Sequence, residues 1–368
     1  MKIALVGTRG IPGRYGGFET FAEELSTRLV LRGHVVTVFG RTHFFSPWCI
    51  EDYQGVHRIQ AWTLFQKHLE TPLAALSSFL YLVSRRRDFD VVLLCNAANS
   101  IFAFLPRLFG IPVVINVDGI ERKRAKWGIL ARWWYRAGEI FSVLFGNHII
   151  ADARSIAHYY AETYGSPSKF LAYGAHARKN TAAGVLEKFG LTPREYFLYV
   201  SRLEPENNAL GVIRAFNKVN SPYPLVVVGD APYASEYRRQ LHEIAGENVF
   251  FTGYQFGDAY HELQANCYLY IQATEVGGTH PALIEAMAHG NCIVANGVPE
   301  HFEVLRGAGL YYPKNDFDCL GELLRHLIEN RSLVEQHRIL AEKEATRSYN
   351  WEMICSEYEQ FLKSLLTC

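Results

Sequence analysis

The chain has 368 residues, enough for two domains of ordinary size, each with its own core. Hydrophobic residues make up 49% and charged residues 20%, and 37 basic side chains balance 37 acidic ones, which argues against a general nucleic-acid binder. Seven cysteines, never spaced as CxxC, fit a reducing compartment without a structural metal, and no apolar stretch reaches the ~18 residues of a membrane-spanning helix. The apolar run after Met1 is too short for a signal peptide, so a cytoplasmic protein is expected, soluble or peripheral on the inner face of the membrane.

Residues 2–6 form an apolar first strand, and 7–17 a long glycine loop. Residues 18–32 follow with helical spacing through Phe21, Leu25 and Leu29, stop at Gly33 and give way to a strand at 35–39. Such a strand, helix, strand unit is of the parallel α/β type. The loop is too long for a dinucleotide fingerprint, and the second strand ends in Gly40 and Arg41 where an acidic ribose ligand is expected, which argues against a nicotinamide cofactor. Gly16 and Gly17 mark either a close approach of backbone to ligand or a flexible turn.

Further strands are expected at 91–94 and 113–117. The second leads to Asp118 and Glu121, beyond the carboxyl end of a strand, where doubly wound sheets bind ligands and where acids also serve as helix caps. Arg122, Lys123, Arg124, Lys126 and Trp127, then Arg132, Trp133, Trp134 and Arg136, interleave basic and indole side chains. That pattern suits an anionic lipid surface; the alternative is a solvated helix with its tryptophans in the core. Arg85, Arg86 and Arg87 either extend the patch or end a helix.

After a strand at 149–151 and a helix, 173–180 lacks periodicity and is expected to link a domain at 1–175 to one at 176–349. Strands at 196–200, 225–228, 249–251 and 268–271 each run into a polar or glycine-rich loop, and a row of such loops on one sheet edge is a binding edge. Pro281 and Gly290 bracket a short helix whose glycine-rich entry offers backbone N–H groups to an anion. Ala282, Leu283, Ile284, Ala286, Met287 and Ala288 cover it so fully that Glu285 is expected to be largely buried, either paired within the protein or holding sugar hydroxyls. Two α/β domains on a short linker leave a cleft, with Gly16 and Gly17 on one side and Arg202, Gly277, Gly278 and Glu285 on the other. An amphipathic helix within 350–368 is free to pack back on the first domain.

Taken together, Gly7-Thr8-Arg9-Gly10-Ile11-Pro12, Tyr15-Gly16-Gly17-Phe18-Glu19-Thr20, Val117-Asp118-Gly119, Arg202-Leu203-Glu204-Pro205-Glu206-Asn207-Asn208 and Val276-Gly277-Gly278-Thr279-His280-Pro281 resemble the family-four retaining glycosyltransferases. The resemblance covers essentially the whole chain and is nearest the bacterial rhamnosyltransferase-like branch of surface-polysaccharide assembly. It implies the GT-B fold: two Rossmann-like, doubly wound parallel-sheet domains facing each other across a cleft, the first on the acceptor side and the second holding the donor. It implies that Asp118, Arg202 and Glu285 carry the chemistry. Arg202 neutralises the diphosphate and Glu285 holds the ribose, while Gly16, Gly17, Asn207, Asn208, Tyr254, Gly277, Gly278, Thr279 and His280 line the nucleotide-sugar site. No metal or other cofactor is implied.

The implied reaction moves a hexose, L-rhamnose from dTDP-L-rhamnose, to a lipid-linked or oligosaccharide acceptor with retention of configuration. A nucleotide-sugar epimerase and an inactive sugar-nucleotide-binding scaffold are the alternatives on the same fold. Three positions depart from the broader family. Gly277 replaces the first of the usual pair of glutamates, with Glu275 nearby; Asn207 replaces a lysine; and Asp118 replaces a histidine.

Overall fold

The computed structural model of the chain describes residues 1–13, 16–42, 52–66, 69–117, 119–123, 128–177, 184–230 and 235–366. Its contacts divide the chain into two compact units. One comprises Met1–Lys123, Trp127–Tyr173 and the terminal Trp351–Cys368; the other is formed by Gly174–Asn350.

In chain order the first unit runs β1 (Lys2–Val6), α1 (Gly17–Leu31), β2 (Val35–Arg41), β3 (His57–Ala61), α2 (Glu70–Ser84), β4 (Val91–Cys95), α3 (Phe104–Leu108), β5 (Val113–Val117), α4 (Ile129–Phe145), β6 (His148–Ala151), α5 (Arg154–Tyr164) and β7 (Lys169–Phe170). The strands form one parallel sheet in the order β3-β2-β1-β4-β5-β6-β7. Strands β4 and β5 are buried along their whole length, which is why they read as near-continuous apolar runs. The order reverses between β1 and β4, so the loops that leave their carboxyl ends open at the switch point where parallel sheets take ligands.

The second unit continues with α6 (Val185–Phe189), β8 (Phe197–Val200), α7 (Ala209–Asn217), β9 (Leu225–Val228), α8 (Ser235–Ile244), β10 (Val249–Gly253), α9 (Gly257–Asn266), β11 (Leu269–Gln272), α10 (Pro281–Ala288), β12 (Cys292–Gly297), α11 (Pro299–Leu305), β13 (Leu310–Pro313), α12 (Phe317–Glu329) and α13 (Arg331–Ser348). Its six strands are again parallel, ordered β10-β9-β8-β11-β12-β13, over a core that includes Phe197, Ile213, Leu269, Val294 and Leu324. Because every strand points the same way, the loops after β8, β11, β12 and β13 all leave one edge of the sheet.

The last helix, α14 (Trp351–Leu366), belongs to the first unit and lies on α1. Its buried stripe of Trp351, Ile354, Tyr358 and Leu362 has the helical spacing of the sequence, and the rings of Trp351 and Tyr358 sit 6.4 and 5.3 Å from that of Phe21. Each such aromatic contributes about 2–3 kcal/mol on leaving water. The Tyr358 hydroxyl accepts a hydrogen bond from Asn116 Nδ2 at 3.2 Å, so the helix also gives the donor of a fully buried amide on β5 its partner. Charge closes the rim: Arg28 and Arg32 pair with Glu352 at 3.0 and 2.9 Å, and Glu359 takes Arg32 at 3.0 Å and His34 at 2.9 Å.

Hydrogen bonds from Lys363, His34 and Arg32 hold the Glu359 carboxyl at about 2, against an ordinary 4.5. A carboxyl whose folded value is depressed contributes fully above its unfolded value and loses that contribution as the pH falls toward the folded one. Lys363 is half exposed, so screening leaves a contribution on the order of 1–2 kcal/mol. Glu359→Gln should therefore lower the melting temperature at pH 7, and the gap to the unsubstituted chain should narrow steadily from about pH 5 to pH 3. A gap independent of pH over that range would show that the ion cluster does not fasten α14.

Candidate donor-binding site

The second unit's sheet edge is assembled by side-chain amides. β8 runs into Arg202 and a turn of 3-10 helix at Pro205–Asn207, and Asn208, in the left-handed conformation at φ 64°, starts α7. The Tyr199 hydroxyl donates to Asn207 O at 2.5 Å, and Asn207 Nδ2 donates to Arg202 O at 2.7 Å, so the loop is folded onto itself. Asn208 Nδ2 reaches outward instead. It donates to Ala273 O at 2.9 Å, Glu275 Oε1 at 2.9 Å and Asn315 Oδ1 at 3.1 Å. The Glu275 N–H adds a bond to Glu206 O at 3.0 Å. The loops after β8, β11 and β13 are thereby one body. Asn207 and Asn208, read from sequence as donor-site groups, turn their amide nitrogens into the protein and hold the loops that carry Arg202 and Glu275.

Arg202 itself is half-buried, and among the described residues its guanidinium has no hydrogen-bond or ion-pair partner. Such a group, presented from a rigid loop, is a ready anion site. Across the same edge, Gly277 and Gly278 are buried, and among the described residues their N–H groups have no backbone partner. Gly277 packs against the His280 ring so closely that a Cβ there would lie 2.4 Å from His280 Cε1. His280 precedes Pro281, the first residue of α10, so the helix begins where the sequence places it.

Beneath this turn lies a polar chain that the sequence reading did not find. His280 Nε2 is 3.3 Å from Thr274 Oγ1, which is 3.2 Å from Nε2 of the fully buried His301 on α11. His301 Nδ1 faces the Asn296 carbonyl at 2.8 Å, so Nδ1 carries the proton and Nε2 accepts from Thr274. Burial lowers the His301 pKa to about 4 against the opposing pull of Asn296, and the ring stays neutral. Nothing in the local pattern around Pro299 and Glu300 marks this histidine; only the fold brings it under the loop.

Glu285 is held largely out of water, as the sequence leads one to expect, but it is not fully buried, because Leu283, Ile284, Ala286 and Met287 form the inward face of α10 while Ala282, Glu285 and Ala288 share an outer stripe one turn apart. Small alanines on that stripe leave the carboxylate accessible. Tyr260 donates to Glu285 Oε2 at 2.6 Å and accepts from Gln264 Nε2 at 2.9 Å. Burial and then the Glu285 charge push the Tyr260 phenol up, so it stays a donor. Tyr254 donates to Asp230 O at 3.0 Å and stacks with the exposed Phe256 at 5.7 Å, which offers a flat aromatic face after β10.

In the first unit, Gly16 and Gly17 form the N-terminal end of α1, and Asp118 lies outside the described residues. In the basic and indole segment the described tryptophans are not in the core, and part of the basic charge turns inward. Arg124, Lys126 and Trp127 fall outside the described residues, while Arg122 turns inward to the buried Glu139 at 3.1 Å. Arg136 approaches the same carboxylate at 3.6 Å, and Tyr159 and Tyr164 donate to it at 2.7 and 2.6 Å. Trp133 and Trp134 are exposed and contribute nothing to the core.

Residues 15–171 match the family model described as Glycosyltransferase Family 4, and residues 186–346 match the model described as Glycosyl transferases group 1. The chain belongs to the family-four glycosyltransferases. The O-antigen chain mannosyltransferase B of Escherichia coli is 26% identical over 176 residues, 46% of this chain. The match spans 45% of that relative's length. Among solved structures, sucrose-phosphate synthase from Thermosynechococcus elongatus superposes with a TM-score of 0.83 at 16% identity, covering 99% of each chain. Anabaena HepE in complex with UDP-glucose gives a TM-score of 0.80 at 17% identity over 99% of this chain and 100% of that one. These likenesses show the fold, the GT-B architecture of two parallel-sheet α/β domains.

For this family-four chain, Gly277→Ala should push the His280 imidazole off Thr274 and cost about 1–3 kcal/mol as local overpacking. The companion change His280→Ala removes the obstructing ring, so the double variant should recover part of the melting temperature that Gly277→Ala loses. Strict additivity of the two changes would remove the imidazole contact as the cause.

Proposed function

We propose that the chain is a retaining glycosyltransferase that moves a hexose from a nucleoside diphosphate donor to a lipid-linked or oligosaccharide acceptor in bacterial surface-polysaccharide assembly. The observation that carries this reading is the guanidinium of Arg202, unpartnered among the described residues, on the sheet edge that also presents the N–H groups of Gly277 and Gly278 and the Glu285 carboxylate. Positive charge and N–H donors suit a diphosphate, a carboxylate beside a tyrosine hydroxyl suits a ribose diol, and the Tyr254 and Phe256 rings suit a base. In transfer, the bond from the anomeric carbon to the diphosphate oxygen breaks while the acceptor oxygen bonds to that carbon from the same face. The acceptor proton leaves with the departing diphosphate, whose growing charge Arg202 and the loop amides stabilise.

The relative named a mannosyltransferase and the neighbour solved with UDP-glucose both favour a hexose donor. L-Rhamnose from dTDP-L-rhamnose remains the donor singled out by the sequence motifs, with Asp118 in place of a histidine as its mark. A melting-temperature panel of dTDP-L-rhamnose, UDP-glucose, GDP-mannose and NADH separates the cases, because a ligand that binds only the folded chain raises its melting temperature. One nucleotide sugar should stabilise the protein, and Arg202→Ala and Glu285→Ala should each weaken it about 10- to 100-fold, the worth of one charge-assisted hydrogen bond. Stabilisation by NADH alone, or interconversion of the sugar without an acceptor, would overturn the transferase reading.

We further propose that α4 rests on an anionic lipid surface. No helix among the described residues is long and apolar enough to cross a membrane. Yet α4 exposes Leu130 by 87%, Ile129 by 75%, Trp133 by 71% and Leu144 by 56%. Arg107 donates to Leu144 O at 2.8 Å, which brings the exposed Leu108 and Phe109 alongside. The one carboxylate on α4, Glu139, is buried and engaged, so the outer face joins apolar side chains to the exposed Arg132 without an opposing charge. The protein should sediment with vesicles containing phosphatidylglycerol, in a salt-sensitive way, and not with pure phosphatidylcholine. Leu130→Glu should release it, and equal indifference to both vesicles would remove the membrane from the account.

A further inference from the structure

The glycine loop of the first unit shows a recognition feature that the family reading leaves unassigned. Glu19 is the third residue of α1, where a carboxylate ordinarily folds back onto the N–H of the residue that precedes the helix. Here it reaches across the loop instead, and Oε1 accepts from the Arg9 N–H at 3.0 Å. One turn on, Glu23 Oε2 accepts from the Gly13 N–H at 2.6 Å, and its Oε1 accepts from the Tyr53 hydroxyl at 2.6 Å. Two of the amides that a phosphate-binding loop would offer are thus capped by carboxylates.

The second oxygen of Glu19 is the telling one. Glu19 is only 8% exposed, yet among the described residues its Oε2 has no partner. It lies 3.2 Å from where a Cβ of Gly16 would stand, so the missing side chain at Gly16 leaves the carboxylate open on that side. The backbone does not require glycine there, since φ is −168°. The space does. Beside it, the N–H groups of Gly17 and Phe18 open α1 without backbone partners among the described residues.

An acceptor oxygen next to free N–H donors matches a group that both donates and accepts, which a sugar hydroxyl does and a diphosphate does not. The Glu19 and Glu23 charges repel a phosphate at this loop. Resting on the transferase reading, we propose that Glu19 binds the acceptor sugar: its Oε2 accepts a hydrogen bond from an acceptor hydroxyl, with Gly16 as the opening. On this account the glycine loop of the first unit takes the neutral polyol and not the donor diphosphate.

The test uses the full chain, the donor that best raises its melting temperature, and a series of p-nitrophenyl pyranosides as stand-in acceptors. Two rates are measured: transfer to the glycoside, and slow donor hydrolysis with water as acceptor. Glu19→Gln should raise the KM for the glycoside roughly 10- to 100-fold, as expected for loss of a charge-assisted hydrogen bond, while donor KM and donor hydrolysis stay within about twofold. Gly16→Ala covers the carboxylate without removing it or straining the backbone. It should raise the same KM while the chain stays folded with only a small loss of melting temperature, as expected for alanine at a helix N-cap, which keeps the test decisive if Glu19→Gln unfolds the loop. An unmoved glycoside KM in both variants overturns the inference and leaves the transferase reading intact. A donor KM that falls in Glu19→Gln also overturns it, because relief of charge repulsion would put the diphosphate at this loop. A wild-type chain that turns over no donor at all overturns the transferase reading and this inference with it.

Discussion

The second unit's site depends on one side-chain amide. Asn208 Nδ2 has two protons and three acceptors drawn from two loops, Ala273 O and Glu275 Oε1 after β11 and Asn315 Oδ1 after β13, and Asn208 itself ends a third, the loop after β8. Parallel strands bring these loops to one edge but do not fix their relative heights; a shared hydrogen-bond donor does. The network continues from Asn315 to the buried Asn296, whose carbonyl orients His301, which in turn supports Thr274 and His280. A site that must present an arginine, two glycine amides and a carboxylate together is thus held from below by neutral amide and imidazole groups. Neutral partners carry a physical advantage, since they fix geometry without cancelling the Arg202 charge that a diphosphate needs.

The same logic holds in the first unit, where the terminal helix serves the sheet. Asn116 on β5 sits immediately before Val117 and the Asp118 position, and its buried amide donates to Tyr358 of α14. The residue that leads toward the Asp118 position thus donates to a helix more than two hundred positions away in sequence. The aromatic stack of Phe21 with Trp351 and Tyr358 ties that helix to α1, the helix that carries Gly17 and Glu19.

How much of this could be read from sequence follows the range of the forces involved. β4 and β5 are buried along their whole length, and their near-continuous apolar runs were visible. Of the edge strands, β10 was legible at 249–251, but β3 and β13 were not. In β3 only Ile59 and Ala61 are apolar, and β13 ends at Pro313 on the outside of its sheet, where a missing N–H is tolerated. The helix between Pro281 and Gly290 was legible from its two end residues, and so was the partial shielding of Glu285, but a list of apolar residues hides the stripe of small alanines on which it lies. His301 and the bridging role of Asn208 escaped altogether. Their meaning lies in partners tens of positions away, and no local pattern encodes those.

The deepest ambiguity of the sequence lies in its two glycine pairs. Gly16-Gly17 and Gly277-Gly278 each stand just before a helix, and by composition they promise the same chemistry. The structure separates them by what surrounds the pair. α10 opens on Pro281 with no acid in its first turn, and Arg202, unpartnered among the described residues, stands on a neighbouring loop, so its N–H groups and helix dipole add to a positive field. α1 opens with Glu19 in its first turn and Glu23 in the next, both bonded to the loop's own amides, and the field at that end is cancelled or reversed. A glycine loop is only a way of bringing backbone close to a ligand. Whether the ligand is an anion or a polyol is decided by the sign of the nearest side chains, and here the two units differ in that sign.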